Sequence, residues 1–74
     1  MHDALGNRLR EHRAWLNLTQ AELAELVGVS RKTINTVENG VFIPSTVLAL
    51  RLARTLELPV EQLFHLIDEQ PGEN

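Results

Sequence analysis

The stretch that decides the fold is Thr19–Gly40, TQAELAELVGVSRKTINTVENG. Thr19 is followed three residues later by Glu22, which is the pattern of a capping box at the start of a helix. Gly28 can adopt the left-handed conformation that ends a helix, and Ser30 can cap the next helix. The stretch therefore predicts two short helices joined by a turn of only about three residues.

The second of these helices has one apolar and one polar side. At about 100° per residue, Ile34 and Val37 point inward. The opposite arc carries hydrogen-bonding side chains, namely Lys32, Asn35, Thr36 and Asn39, with Arg31 and Thr33 at its edges. In the major groove, Arg and Lys suit guanine, Asn suits adenine, and Thr offers a hydroxyl and a methyl. A polar helix side alone is more often a solvated surface, but the capped helix and tight turn before it favour a DNA-reading helix-turn-helix.

The flanking sequence extends this pair of helices to a single small domain. Five helices are predicted, over residues 4–16, 20–27, 31–39, 45–56 and 60–66. The first helix would bury Leu5, Leu9 and part of Leu16. The core would be completed by Leu48, Leu52, Ala53, Leu56, Leu58, Leu63 and Phe64. Residues 1–67 are therefore expected to form one all-α domain, and residues 68–74, DEQPGEN, a disordered tail.

The motifs of the chain resemble those of the lambda-repressor and Cro-like helix-turn-helix family, also called the xenobiotic-response-element family of bacterial regulators. The resemblance is carried by four segments: LTQAELAELVGVSRKTI at residues 18–34, VENG at 37–40, Pro44-Ser45, and LPVEQLF at 58–64. It implies a five-helix DNA-binding domain with the helix-turn-helix at its second and third helices. It also implies that these two helices and their turn supply five core positions: Leu23, Val27, Val29, Ile34 and Val37. The expected partner is a double-stranded DNA operator, with the recognition helix, residues 30–39, in the major groove.

Two sets of residues follow from this resemblance and from helix geometry. Arg31, Lys32, Asn35 and Thr36 are the candidate base contacts. The candidate backbone contacts are Gln20, at a helix N-terminus that can hold a phosphate, together with Thr33, Asn39 and Arg10. Glu38 lies about 70° from the centre of the buried arc, which suits a partner on the first helix. The resemblance names that partner as Arg13, so Arg13 and Glu38 are expected to form a partly buried, structural ion pair.

A homodimer is expected because a core from a chain this short is thin without a disulfide, a metal or a partner subunit. The candidate dimerisation residues are Leu63, Phe64, Leu66 and Ile67. In some small relatives the C-terminal segment pairs across the two-fold axis, and residues 64–68 alternate enough to do so as a short strand. The alternative is that these four side chains only cover the core of the monomer.

Composition excludes several other classes of protein. The sequence has no cysteine, so it predicts neither disulfides nor a thiolate metal site. Neither a signal-peptide pattern nor an apolar run of membrane-spanning length is present, so a soluble, cytoplasmic protein is expected. The three histidines, His2, His12 and His65, lack the spacing of a catalytic or metal-binding set, and His65 with Asp68 is too small a ligand set for a metal. No enzymatic activity, metal or cofactor is predicted.

Charge keeps two alternatives to a simple repressor open. The net charge is −3, although residues 1–40 carry five basic and five acidic residues, so the whole excess lies in residues 41–74. An acidic protein is unusual for a polyanionic partner, and VFIP at 41–44 stands where relatives often carry polar residues. A DNA-binding transcriptional repressor is the favoured function. The alternatives are an antitoxin-type autorepressor with an unknown protein partner, and a protein-interaction adaptor that does not bind DNA.

Overall fold

The computed structural model describes residues 3–68 as five helices and a two-stranded sheet. In chain order the elements are β1 (Asp3–Asn7), α1 (Leu9–Trp15), α2 (Gln20–Val27), α3 (Arg31–Glu38), α4 (Thr46–Leu56), α5 (Val60–Leu63) and β2 (Phe64–Asp68). The description all-α is therefore only approximate. Most of the tail expected to be disordered, residues 69–74, lies outside the described residues.

The start and the end of α2 follow the predicted capping chemistry. Thr19 Oγ1 accepts a hydrogen bond from the backbone N–H of Glu22 at 3.0 Å, and Glu22 Oε1 accepts one from the backbone N–H of Thr19 at 2.8 Å. Gly28 ends the helix with a φ of 78°. Ser30 Oγ then accepts from the backbone N–H of Thr33 at 3.1 Å and caps α3. The prediction of two helices separated by a short turn is confirmed.

The two ends of the domain form an antiparallel sheet that the helical predictions missed. Leu5 of β1 lies opposite Leu66 of β2, and Gly6 lies opposite His65. The prediction of helix was therefore wrong for residues 4–7 and for residues 64–66. A Cβ at Gly6 would lie close against His65 Nε2, so the absence of a side chain at this position lets the His65 ring pack across the sheet.

The helix α1 begins later than predicted because Asn7 turns the chain out of the strand. Asn7 Oδ1 accepts a hydrogen bond from the backbone N–H of Leu9 at 3.0 Å. Leu9 is fully buried, and Leu16, which was expected to be partly buried, is half exposed. Leu5, which was expected to be buried, is half-buried in β1 and lies outside the core. The chain leaves α1 through Asn17 and leaves α4 through Glu57, both in the left-handed conformation.

One hydrophobic core holds the helices together. It is formed by Leu9, Leu23, Ala24, Val27, Ile34, Val37, Leu48, Leu52, Ala53, Leu56 and Leu63. The half-buried side chains around it are Leu18, Val29, Leu58, Val60 and Phe64. Every helix contributes to this core, so the orientation of α3 depends on the packing of the whole domain. Among residues 3–68, no helix is long and apolar enough to cross a membrane.

Candidate nucleic-acid interface

The outer side of α3 is the candidate interface, and backbone hydrogen bonds hold the turn before it. The backbone N–H groups of Gly28 and Val29 both donate to the carbonyl oxygen of Ala24, at 2.9 and 3.0 Å. Ile34 and Val37 are buried beneath α3, with exposures of 0% and 1%. These contacts turn the opposite side of α3 outward, toward solvent.

The six predicted DNA-contacting residues of this region differ in how free their side chains are. Arg31, Lys32, Asn35 and Asn39 are exposed, whereas Thr33 and Thr36 are half-buried. Thr33 Oγ1 is hydrogen-bonded to Ser30 Oγ at 3.0 Å. The Thr36 hydroxyl donates to the carbonyl oxygens of Lys32 and Thr33, each at 3.0 Å. Thr36 therefore keeps only acceptor lone pairs and a methyl group for an outside partner.

A buried carboxylate, that of Glu38, joins three elements beneath this surface. Glu38 Oε2 accepts a hydrogen bond from Arg13 Nε at 2.6 Å, and Glu38 Oε1 accepts one from Gln20 Nε2 at 3.0 Å. The Glu38 side chain is 0% exposed and that of Arg13 is 16% exposed. The ion pair expected between Arg13 and Glu38 is thus present, and it connects α1 with α3 while Gln20 connects it with α2.

Arg13 also ties down the connection between α1 and α2. Its Nη1 donates to the carbonyl oxygen of Leu18 at 2.8 Å, one residue before the cap of α2. A single guanidinium therefore contacts a buried carboxylate and a loop carbonyl at the same time. Because guanidinium donors lie in one plane at fixed angles, this arrangement sets the position of α2 relative to α1 and α3.

The pKa of Glu38 reflects a competition between burial and its partners. Burial by itself raises the pKa, because desolvation disfavours the charged form. Hydrogen bonds from Arg13 and Gln20, and the positive charge of Arg13, oppose this effect and lower the pKa below its ordinary value. Glu38 is therefore an ionised acceptor in the folded protein at neutral pH.

The hydrogen-bond network continues from Glu38 onto the surface of α3. Gln20 Nε2 also donates to Asn35 Oδ1 at 3.2 Å, and Asn39 Nδ2 donates to the same oxygen at 3.3 Å. Arg10 Nη2 donates to Asn39 Oδ1 at 2.7 Å, and Arg10 Nε lies 3.4 Å from Glu38 Oε1. The structure therefore brings four of the predicted DNA-contacting residues into one network: Arg10, Gln20, Asn35 and Asn39.

The interface also depends on Asn7, a residue that the sequence reasoning did not single out. Asn7 Nδ2 donates to the carbonyl oxygen of Val37 at 2.9 Å, which ties β1 to the last turn of α3. The sequence contained one signal, because an Asn just before an amphipathic segment is a common cap. Its bond to Val37 spans thirty residues, so no local pattern indicated it.

The four predicted dimerisation residues lie in two different environments. Leu63 is fully buried in the core and Phe64 is half-buried against it. Leu66 is 71% exposed and Ile67 is 45% exposed, and both belong to β2. Of these four residues, Leu66 and Ile67 therefore offer the most apolar surface to a second chain.

No cluster suited to a metal ion accompanies these residues in the part of the chain whose side chains the structure describes. Residues 4–67 contain no group of three or more His, Asp or Glu side chains that could hold one. His12 instead packs edge-on against Trp15, with ring centroids 5.2 Å apart. The polar chemistry of the described region is concentrated between α1, α2 and α3.

Comparison with known proteins places this arrangement among DNA-binding regulators. A family model described as a helix-turn-helix domain matches residues 4–66. An uncharacterized HTH-type transcriptional regulator of Methanothermobacter thermautotrophicus is 52% identical over 62 residues, covering 82% of this chain and 88% of the relative.

Two solved structures are similar in both sequence and fold. The restriction-modification controller protein C.AhdI from Aeromonas hydrophila is 38% identical, with a TM-score of 0.70 over 74% of this chain and 80% of that chain. The P22 c2 repressor protein, solved in complex with a synthetic operator, is 31% identical, with a TM-score of 0.71 over 73% of this chain and 82% of that chain.

The burial of the Arg13–Glu38 pair predicts a large loss of stability when either charge is removed. Arg13→Ala or Glu38→Ala should lower the free energy of unfolding by about 3 to 5 kcal/mol, since each leaves the other charge without its main partner. The double variant should lose less than the sum of the two. Urea unfolding of all four proteins measures the coupling, and additive losses would show that the pair does not interact.

The lowered pKa of Glu38 predicts a loss of stability in acid. Because the folded protein binds this proton more weakly than the unfolded chain does, the contribution of Glu38 is fully present above its ordinary pKa, about 4.5. It should be lost as the pH falls through the lowered pKa. Urea unfolding at several pH values should show a weaker acid dependence in Glu38→Gln. Glu25→Gln, at an exposed position, serves as the control, and an unchanged slope in Glu38→Gln would contradict the prediction.

Proposed function

Because the chain belongs to the helix-turn-helix family of transcriptional regulators, we propose that it is a repressor that reads a specific operator with α3 in the major groove. The P22 c2 repressor, whose structure contains a synthetic operator, is 31% identical and supports this proposal. The fold belongs to DNA-binding regulators as a class. The sign of regulation and the groove contacts are the parts proposed for this chain.

One observation carries the proposal: Arg31 and Lys32 stand exposed on the first turn of α3. Neither side chain forms an ion pair with any residue among 4–67. They lie on a helix whose opposite side is buried and whose position is set by the Glu38 network. Two free cations on a rigid, outward-facing helix suit the acceptor-rich edge of guanine or the phosphates beside it.

The start of α2 supports a phosphate contact beside this helix. The capping box uses the backbone N–H of Glu22, and Leu23 donates to the carbonyl oxygen of Thr19. The backbone N–H groups of Gln20 and Ala21 have no acceptor among the described residues. These two donors, at the positive end of the helix dipole, are proposed to hold a phosphate. The side-chain amide of Gln20 supports that contact by fixing α2 against α3.

The acidic net charge is compatible with this arrangement because the acidic excess lies outside residues 1–40, which include α2 and α3. Arg13 is paired with Glu38, and Arg10 contacts both Glu38 and Asn39. The acidic excess of the sequence lies in residues 41–74, beyond α3. We therefore propose that a few positioned contacts provide the affinity, with a smaller nonspecific electrostatic contribution than in a basic protein.

A second candidate function is a protein-interaction adaptor, and one observation favours it. The loop after α3 exposes three consecutive apolar side chains: Val41, Phe42 and Ile43. Exposed neighbouring apolar side chains are typical of contacts with another protein. An electrophoretic mobility shift with duplex DNA from upstream of the gene separates the two functions, since an adaptor would give no sequence-specific shift.

Alanine substitutions on α3 test the proposed reading of DNA. Arg31→Ala, Lys32→Ala and Thr36→Ala should each weaken binding to that upstream duplex by about 1 to 3 kcal/mol wherever the residue makes a good base contact. Folding should survive, because none of the three lies in the core. Arg54→Ala is the matched control, since Arg54 is an exposed cation on α4. Unchanged affinity in all three variants, with intact circular dichroism, would contradict the proposal.

We also propose that the protein acts as a homodimer through the outer edge of β2. One recognition helix covers a half-site, and two-fold dimers reach half-sites roughly 34 Å apart on the DNA. Within the described residues, β2 pairs only with β1, so its other edge and the exposed Leu66 remain available. An open strand edge next to apolar side chains is a surface that pairs with another chain.

Sedimentation at micromolar concentration tests the dimer. The wild-type protein should sediment with the mass of two chains, and Leu66→Glu should sediment with the mass of one, because the charge would be buried at the interface. Leu50→Glu, at an exposed apolar position on α4, should leave the dimer intact. A single-chain mass for the wild type, with one-to-one binding to a half-site, would refute the dimer.

A further inference from the structure

We infer that Asn35 faces DNA as a hydrogen-bond donor alone, and that it selects a keto base, guanine or thymine, at one position of the operator. The inference rests on the proposed placement of α3 in the major groove. It differs from the sequence-based expectation that an asparagine on this helix reads adenine. The difference arises from hydrogen bonds that fix the orientation of the Asn35 amide before DNA is bound.

The first anchor of that orientation is Glu38. Its carboxylate is buried and ionised, so it accepts hydrogen bonds and donates none. The Gln20 group that lies 3.0 Å from Glu38 Oε1 must therefore be the amide nitrogen. Turning the Gln20 amide over would place its carbonyl oxygen against the buried carboxylate, which repels it.

The same nitrogen fixes Asn35. Gln20 Nε2 has two hydrogens, and the second points to Asn35 at 3.2 Å. The Asn35 atom that receives it must be the carbonyl oxygen, Oδ1, because the amide nitrogen of Asn35 has no acceptor capacity. The orientation of Glu38 is thus transmitted through Gln20 to the surface of α3.

The second anchor is Arg10, which reaches Asn35 from the other side. A guanidinium only donates, so the Asn39 atom 2.7 Å from Arg10 Nη2 must be the carbonyl oxygen. The nitrogen of Asn39 then faces Asn35 Oδ1, at 3.3 Å. Two donors, each oriented by a charged group, therefore converge on the same oxygen. A flipped Asn35 would set its own amide hydrogens against both donors and lose both hydrogen bonds.

The Asn35 side chain therefore presents hydrogen-bond donors, and no free acceptor, to an outside partner. Asn35 is exposed, and its Nδ2 has no acceptor among residues 4–67. The bidentate contact of asparagine with adenine needs the carbonyl oxygen to accept from adenine N6, but in this structure that oxygen already accepts two hydrogen bonds. The free amide hydrogens match the O6 and N7 acceptors of guanine or the O4 acceptor of thymine. Cytosine offers them only its N4 amino donor. Adenine offers a single acceptor, N7, beside its N6 amino donor, so both bases match the outward amide hydrogens less well than guanine or thymine.

Asn35→Asp tests the inference with little change in shape. An aspartate keeps the oxygen that accepts from Gln20 and Asn39, but it replaces the outward NH₂ with a second acceptor. The probe is a pool of duplex DNA with a randomised 24-base-pair segment, enriched separately on the wild-type protein and on the variant. At one position in each half-site, the wild type should prefer a keto base and the variant an amino base. Each preference should be roughly tenfold, the scale of one satisfied against one unsatisfied hydrogen bond.

Asn35→Asp changes both the hydrogen-bonding group and the net charge, and two further variants separate these two effects. Asn35→Ala should lose the preference at that position and keep the preferences at the others. Lys32→Ala changes the net charge by the same amount on the same side of α3 and leaves the contacts of Gln20 and Asn39 with Asn35 in place. The keto preference at that position should therefore persist in this variant while overall affinity falls.

A measurement on the free protein tests the orientation without DNA. In nitrogen-15 NMR spectra, the Asn35 Nδ2 hydrogens should exchange with water as rapidly as those of an open amide, and the Gln20 Nε2 hydrogens should be protected. Protected Asn35 hydrogens would overturn the inference whatever the DNA result.

The DNA results distinguish this inference from the proposed function. If the wild type enriches an operator and Asn35→Asp retains the same base preferences, or loses affinity uniformly as a phosphate contact would, the inference fails while the repressor proposal stands. If the wild type enriches no sequence, both fail.

Discussion

The buried carboxylate of Glu38 is the constraint on which the arrangement of the first three helices depends. An ionised group with no exposed surface costs several kcal/mol in lost hydration unless close partners offset that cost. Arg13 offers the main partner from α1 and Gln20 offers a second from α2. All three helices must therefore keep their positions for the charge to remain satisfied. The hydrophobic core brings α2 and α3 together, and the ion pair adds a directional contact between α1 and α3.

The same network limits which polar side chains remain for DNA. Arg10, Gln20 and Asn39 would each be counted as surface contacts from a helical projection, yet their donors already bond to other protein groups. Arg31 and Lys32 form no ion pair with another residue among 4–67, so their charges remain available to DNA. Preorganised side chains lose little conformational freedom on binding. A few contacts from preorganised side chains can provide sequence specificity in a protein whose net charge does not favour binding to DNA.

The sheet formed by β1 and β2 links the chain ends to the helical core. It joins the two ends of the described chain and places Asn7 where its amide reaches the last turn of α3. The strand that carries Leu66 is thus connected through one hydrogen-bonded residue to the helix proposed to read DNA. Gly6 permits the close packing within this sheet, since His65 occupies the space that a side chain would need.

The sequence by itself determined the features that depend on neighbours within one helical turn. The capping box of Thr19 and Glu22, the left-handed Gly28 and the cap at Ser30 all involve residues at most three or four apart, so their residue types predicted α2 and α3. Only the tertiary structure decided the fate of the chain ends and of the polar side chains of α3. Residues 3–7 are strand because residues 64–68 lie beside them, and Asn35 has a fixed polarity because Glu38 and Arg10 orient its two neighbours. Such choices depend on partners distant in the chain, and a hydrogen bond between them leaves no periodic pattern in the sequence.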